Sequence, residues 1–218
     1  MAMGTLDNAM EKPARNSMFA VVAVLVLVAA AALLLFGGRG TPGDNSAEAG
    51  FARDMATHHA QAVDMSFTIR DKSQSREIRS LAFDIINTQA NQRGMFLGWL
   101  QQWGLTQATD MRSMAWMSGH AHASSARPGD PMPGMASAEE LAKLRELEGT
   151  EAEVLFLQLM IRHHEGGVEM AEGVLRLSGR DEVTGMARKI VTGQQGEIKL
   201  MTDMLRHRDA QPFPSILD

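Results

Sequence analysis

Apolar side chains recur at helical spacing over residues 48–71 and 75–103, and again over 150–177 and 181–207. Lys72-Ser73-Gln74-Ser75 interrupts the first pair and Ser178-Gly179 the second, so the pattern predicts two helical hairpins. The hairpins are copies of one another. Phe51-x-x-x-Met55-x-x-His58-His59-x-x-x-Val63-Asp64-Met65 recurs as Phe156-x-x-x-Met160-x-x-His163-His164-x-x-x-Val168-Glu169-Met170, every matched pair 105 residues apart. The register runs on into the second helix of each copy. Ile78, Leu81, Ala82, Ile85, Ile86, Gln89 and Gln92 align with Val183, Met186, Ala187, Ile190, Val191, Gln194 and Glu197. Such a repeat predicts an all-α fold, a four-helix bundle in which two duplicated hairpins share one core. Between the copies, Ser137-Ala-Glu-Glu140 is a capping box that opens a short helix through Leu147. Residues 107–135, rich in Met, His, Gly and Pro, read as irregular, and the tail beyond Ala210 with Pro212 and Pro214 is not helical.

A different pattern precedes the repeat. Residues 18–36 carry no charged or polar side chain, a run long enough for the roughly 20-residue helix that crosses a bilayer. Lys12 and Arg15 lie before it and Arg39 after it, which places the N-terminus in the cytoplasm and the body outside. Phe36-Gly37-Gly38-Arg39 makes a poor cleavage site, so the segment is expected to remain as an anchor. The chain then divides into a cytoplasmic N-terminus (1–17), a transmembrane anchor (18–36), a flexible tether (37–47), the duplicated domain (48–208) and a tail (209–218). Within the duplicated domain the repeats are 48–104 and 150–208, joined by a Met/His-rich linker over 105–149.

Composition removes several chemistries. A net charge of −5 and a pI near 5.8 give no electrostatic footprint for nucleic acid. The absence of cysteine excludes disulfides, thiolate metal sites and thiol nucleophiles. Seventeen methionines stand out. Methionine is a flexible core filler, which accounts for many of them.

At about 100° per residue, Met55, His58, Ala62 and Met65 share a stripe about 80° wide, with His59 about 40° to the other side of Met55. The second copy projects identically. Asp64 and Glu169 fall opposite this stripe and are expected to face solvent. An antiparallel hairpin brings His58 and His59 level with Gln89 and Gln92, and His163 and His164 level with Gln194 and Glu197. A metal-bound imidazole usually donates its second N–H to an oxygen acceptor, which Gln or Glu supplies. Neutral imidazole with thioether suits soft or borderline ions, copper(I) in particular. The alternative is that His and Met fill a helical core while the Gln side chains satisfy the imidazoles.

Met111, Met114, Met117, His120 and His122, followed by Met132-Pro-Gly-Met135, form a second candidate site if exposed, or a hydrophobic linker lying over the bundle if not. His163-His164-Glu165 lacks the second histidine of a zincin motif. The positions three before the histidines are Met55, Ala56, Met160 and Ile161, which excludes the Glu-x-x-His pattern of carboxylate di-iron bundles. No phosphate-binding glycine loop or serine nucleophile elbow occurs.

These residues resemble the bacterial domain of unknown function 305 (DUF305) family, marked by Met-x-x-His-His-x-x-x-(Ala/Val)-x-x-Met. The resemblance spans about residues 48–208 and extends to Met132-Pro-Gly-Met135 with Ser137-Ala-Glu-Glu-Leu141. It implies a ferritin-like four-helix domain, exported or membrane-anchored, with copper binding and tolerance among its members. Carried over by residue, the implied metal ligands are Met55, His58, His59, Met65, Met160, His163, His164 and Met170. The motif departs from itself at Ala60-Gln61, where the second copy has Glu165-Gly166. The expectation is a single-pass cell-membrane protein whose extracytoplasmic bundle binds copper for sequestration or delivery, without a need for catalysis. A metal-dependent oxidoreductase and a metal-free structural or partner-binding bundle are the rival readings.

Overall fold

The computed structural model describes residues 19–28, 40–117 and 132–217. It divides into two units, Met1–Thr41 and Pro42–Asp218. In the first unit residues 19–28 are helical (α1). The expected anchor over 18–36 also includes residue 18 and residues 29–36, which lie outside the described residues. What is described covers half of the roughly 20 residues a crossing requires. Among the described residues no helix is long and apolar enough to cross a membrane.

The second unit realises the two hairpins. α2 (Ala47–Lys72) and α3 (Arg76–Gln102) form the first, and α5 (Gly149–Leu177) and α6 (Asp181–Arg206) the second. A short α4 (Ala138–Glu146) and a 3-10 turn at Ala115–Met117 lie between them, and no strand occurs among the described residues. The side-chain hydroxyls of Ser46 and Ser75 cap α2 and α3, accepting from Ala49 N and Ile78 N. At α4 both halves of the Ser137/Glu140 capping box are present. The hairpins meet where α2 packs on α5, and α4 rests against both; α3 and α6 make little backbone contact with each other.

Burial follows the repeat. One apolar cluster joins Ala62, Met65, Ile69, Ile78, Leu81 and Ile85 to Phe156, Leu159, Met160, Met201 and Leu205. The other joins Phe51, Ala52, Met55, Phe96 and Leu100 to Met170, Val174, Val183 and Ile190. Between the two lies a buried polar layer made by His58, His59, Gln89, His163, His164 and Gln194. The first cluster's end of the bundle is tied by a nearly buried ion pair, Arg208 Nη2 to Glu153 Oε2 at 2.8 Å. Glu153 also accepts from Ser73 Oγ at 2.5 Å.

Candidate metal centre

The eight residues singled out by the repeat, Met55, His58, His59, Met65, Met160, His163, His164 and Met170, are all fully buried. Antiparallel packing of α2 on α5 lays the His58 and His163 rings against each other, centroids 3.7 Å apart and planes inclined by 32°. His59 and His164 flank this pair, each about one ring farther out, at 6.5 Å from His58 and 6.4 Å from His163 respectively. The methionines divide between the two apolar clusters, Met65 and Met160 on one side of the layer and Met55 and Met170 on the other. Asp64 is exposed and pairs with Arg145 at 2.8 Å, as its opposite helical face requires.

The hydrogen bonds fix which ring nitrogen is bare. His59 Nε2 donates to Gln92 Oε1 at 2.7 Å, and His164 Nε2 donates to Glu197 Oε2 at 2.6 Å. These are the partners the hairpin register anticipated. His58 Nε2 instead donates to the carbonyl of Pro133 at 3.0 Å. A neutral imidazole that donates from Nε2 carries its lone pair on Nδ1. The Nδ1 atoms of His58, His59 and His164, both ring nitrogens of His163, and both amide atoms of Gln89 and of Gln194 are buried without a partner. Ten such side-chain atoms occur among the described residues, and all but Ser66 Oγ belong to this one layer. Each would cost about 1–3 kcal/mol if left unsatisfied, which makes this layer the most strained polar feature among the described residues.

Burial keeps His58, His59 and His163 neutral. Burial pushes His58 down to about 4, partly offset by the Pro133 carbonyl. Burial, reinforced by His58, pushes His59 down to about 3. His163 is held well below the usual histidine value by burial and then by the neighbouring imidazoles. Neutral imidazole is the ligating form. Among the described residues no three His, Asp or Glu converge tightly enough to hold a metal by themselves, so a metal here would need thioether donors as well.

The linker was the part that sequence reasoning underrated. Gly134 has φ +74° and lies so close to α5 that a Cβ there would sit 2.2 Å from Arg162 O. A Cβ on Gly166 would sit 2.0 Å from Pro133 O. Backbone thus meets backbone directly over His58. Gln61 clamps the same segment, exchanging bonds with Ala136 O at 3.0 Å and Ala136 N at 2.7 Å. In the other copy Glu165 accepts from Ser215 Oγ and Ile216 N, fastening the C-terminal tail across α5. The departure at Ala60-Gln61 against Glu165-Gly166 therefore serves two different straps. It was the available signal for both.

Met114 and Met117 belong to the second apolar cluster, and Met117 lies against Gly173. Asp54 fixes this turn by accepting from Met114 N at 2.7 Å and Trp116 Nε1 at 2.8 Å. For these two methionines the hydrophobic-linker alternative holds, because their side chains complete a core that α2 and α5 leave open. His120 and His122 lie outside the described residues.

Comparison with known proteins places the chain. The sequence profile for the domain of unknown function DUF305 matches residues 48–205. A candidate secreted DUF305 protein of Streptomyces coelicolor is 45% identical, covering 79% of this chain and 99% of that one, with a TM-score of 0.72. A DUF305 fragment from Deinococcus radiodurans is 38% identical over 74% of this chain and 96% of that one, TM-score 0.61. CopM, solved in a Cu(I)-bound form, shares the fold at 24% identity, 75% and 97% coverage and TM-score 0.56. No protein of curated function matches the chain. The duplicated His-His/Met motif, the linker that crosses it and a profile match over most of the chain agree, and the protein belongs to the DUF305 family.

Proposed function

We propose that this protein is an extracytoplasmic metal-binding bundle that sequesters or delivers copper, held at the cell membrane by the apolar segment 18–36. The observation that carries the reading is the set of unpartnered imidazole nitrogens buried between the two methionine-containing clusters. Met55, His58, His59, Met65, Met160, His163, His164 and Met170 supply the donors. Bare Nδ1 lone pairs and thioethers match copper(I) better than an oxygen-seeking ion. A bound ion would offset the desolvation that the layer imposes on the metal-free fold. CopM, which shares the fold, has been solved with Cu(I), Cu(II) and silver, which supports the choice of metal. The candidate secreted relative supports an extracytoplasmic site.

The test is copper(I) titration of the parent chain and of a His58→Ala/His163→Ala variant, with folding followed by circular dichroism. The expected result is a folded variant with greatly weakened copper(I) binding. Equal affinity in both, with only the melting temperature altered, would leave the histidines as core filler.

A further inference from the structure

Resting on that reading, we infer that the metal reaches the histidine layer between α3 and α6, through a polar pocket whose floor is the Gln89/Gln194 pair. The linker side of the layer is closed. There Gly134 and Gly166 bring backbone onto backbone with no space even for a Cβ. The α3/α6 side is less tightly closed, since the two helices make little backbone contact and a cavity of about 70 Å³ lies between them. That volume holds about two water molecules at their liquid density.

The pocket's wall is chemically continuous with the layer. Gln89 and Gln194, nearly fully buried and unpartnered at both amide atoms, form its base. Gln92 and Glu197, the acceptors for His59 and His164, line its sides. Exposed Thr88 and Lys189 lie at its rim. Gly167 on α5 makes room for the Gln194 amide, because a Cβ there would sit 2.3 Å from Gln194 Oε1. Two amide oxygens and a carboxylate replace part of the water shell of an incoming cation, which then passes to imidazole and thioether donors behind them. Buried amides with no partner destabilise the metal-free protein, and a transit role explains their presence where leucine would pack without cost. Among the described residues Lys189 is the only cationic one lining the pocket, and its charge opposes a cation at the mouth.

Silver(I) is the probe, and stopped-flow tryptophan fluorescence of the full chain the readout, since Trp99 packs on Phe96, which packs on His59. In a Gln89→Leu/Gln194→Leu variant the metal-free protein should melt higher, bind the same equivalents of silver(I) at equilibrium, and take the ion up severalfold more slowly. Lys189→Glu, a surface change, should speed uptake on the order of tenfold at low salt, with the gain lost at high salt. Parental uptake rates in both variants would overturn the route, as would loss of bound equivalents in the double variant, which would make the amides resident ligands. If the double variant fails to fold, the Lys189→Glu rate alone decides. A parent chain that binds neither silver(I) nor copper(I) would overturn the metal reading itself, and the route with it.

Discussion

Acid should dismantle the metal-free bundle well before it neutralises the carboxylates, and the three perturbed histidines set the size of the effect. His58 titrates at about 4 and His59 at about 3 in the fold, and His163 is also well below 6.5. In the unfolded chain each returns to about 6.5. Between those limits the unfolded state binds more protons, so stability is fully present above pH 6.5 and falls as pH drops toward the folded values. At about 1.4 kcal/mol per pH unit, His58 and His59 each cost the fold about 2 kcal/mol by pH 5. His58 and His59 together would remove about 4 kcal/mol, and His163 adds to this in the same direction, against the roughly 5–15 kcal/mol stability of a typical domain. All three are fully buried, so solvent screening does not dilute the figure. The assay is urea unfolding of chelator-treated protein at pH 7.5, 6 and 5, with unchanged slope. Stability that changes by less than about 1 kcal/mol between pH 7.5 and pH 5 would refute the argument.

Two structural predictions accompany it and the copper(I) and silver(I) experiments. Gly166→Ala should lower stability by about 1–3 kcal/mol, because its methyl meets the Pro133 carbonyl, whereas Gly94→Ala, with open space around it, should be neutral or stabilising. Paired chemical denaturation curves measure the contrast, and equal effects would show that the linker yields without cost. Glu153→Ala should cost about 1–3 kcal/mol by removing the carboxylate that Arg208 and Ser73 share, and a thermal melt within a degree of the parent would contradict that.

Much of this was readable from residue spacing. The four long helices end within a residue or two of where the apolar period stops, because short turns punctuate both hairpins and serine N-caps open the helices of the first. His59 with Gln92 and His164 with Glu197 follow directly from the hairpin register. Two things did not follow. The partner of His58 is a main-chain carbonyl 75 residues away, and any residue type can offer a carbonyl, so composition carries no trace of it. The second is the fate of Gln89 and Gln194, which stand level with histidines yet find no hydrogen-bond partner among the described residues; helical phase gives height and direction, not the choice between neighbours on one stripe.

The interleaving of the copies across the two apolar clusters bears on ancestry. Met55 of the first copy shares a cluster with Met170 of the second, and Met65 shares one with Met160, so neither hairpin owns a core. Two separate chains, each a single hairpin related by a twofold axis, would assemble the same layer through a self-complementary face. In such a dimer every position must serve identically on both sides. Joining the copies in one polypeptide lifts that constraint, and the chain uses the freedom where its motifs disagree. One hairpin spends the position on Gln61, to grip the crossing linker, and its twin keeps a bare glycine there so the linker can pass. His58 acquires the Pro133 carbonyl as partner, while neither ring nitrogen of His163, its symmetry mate, makes a hydrogen bond of ordinary geometry among the described residues. One chain thus lets the two halves of the layer differ, as the surroundings of His58 and His163 do.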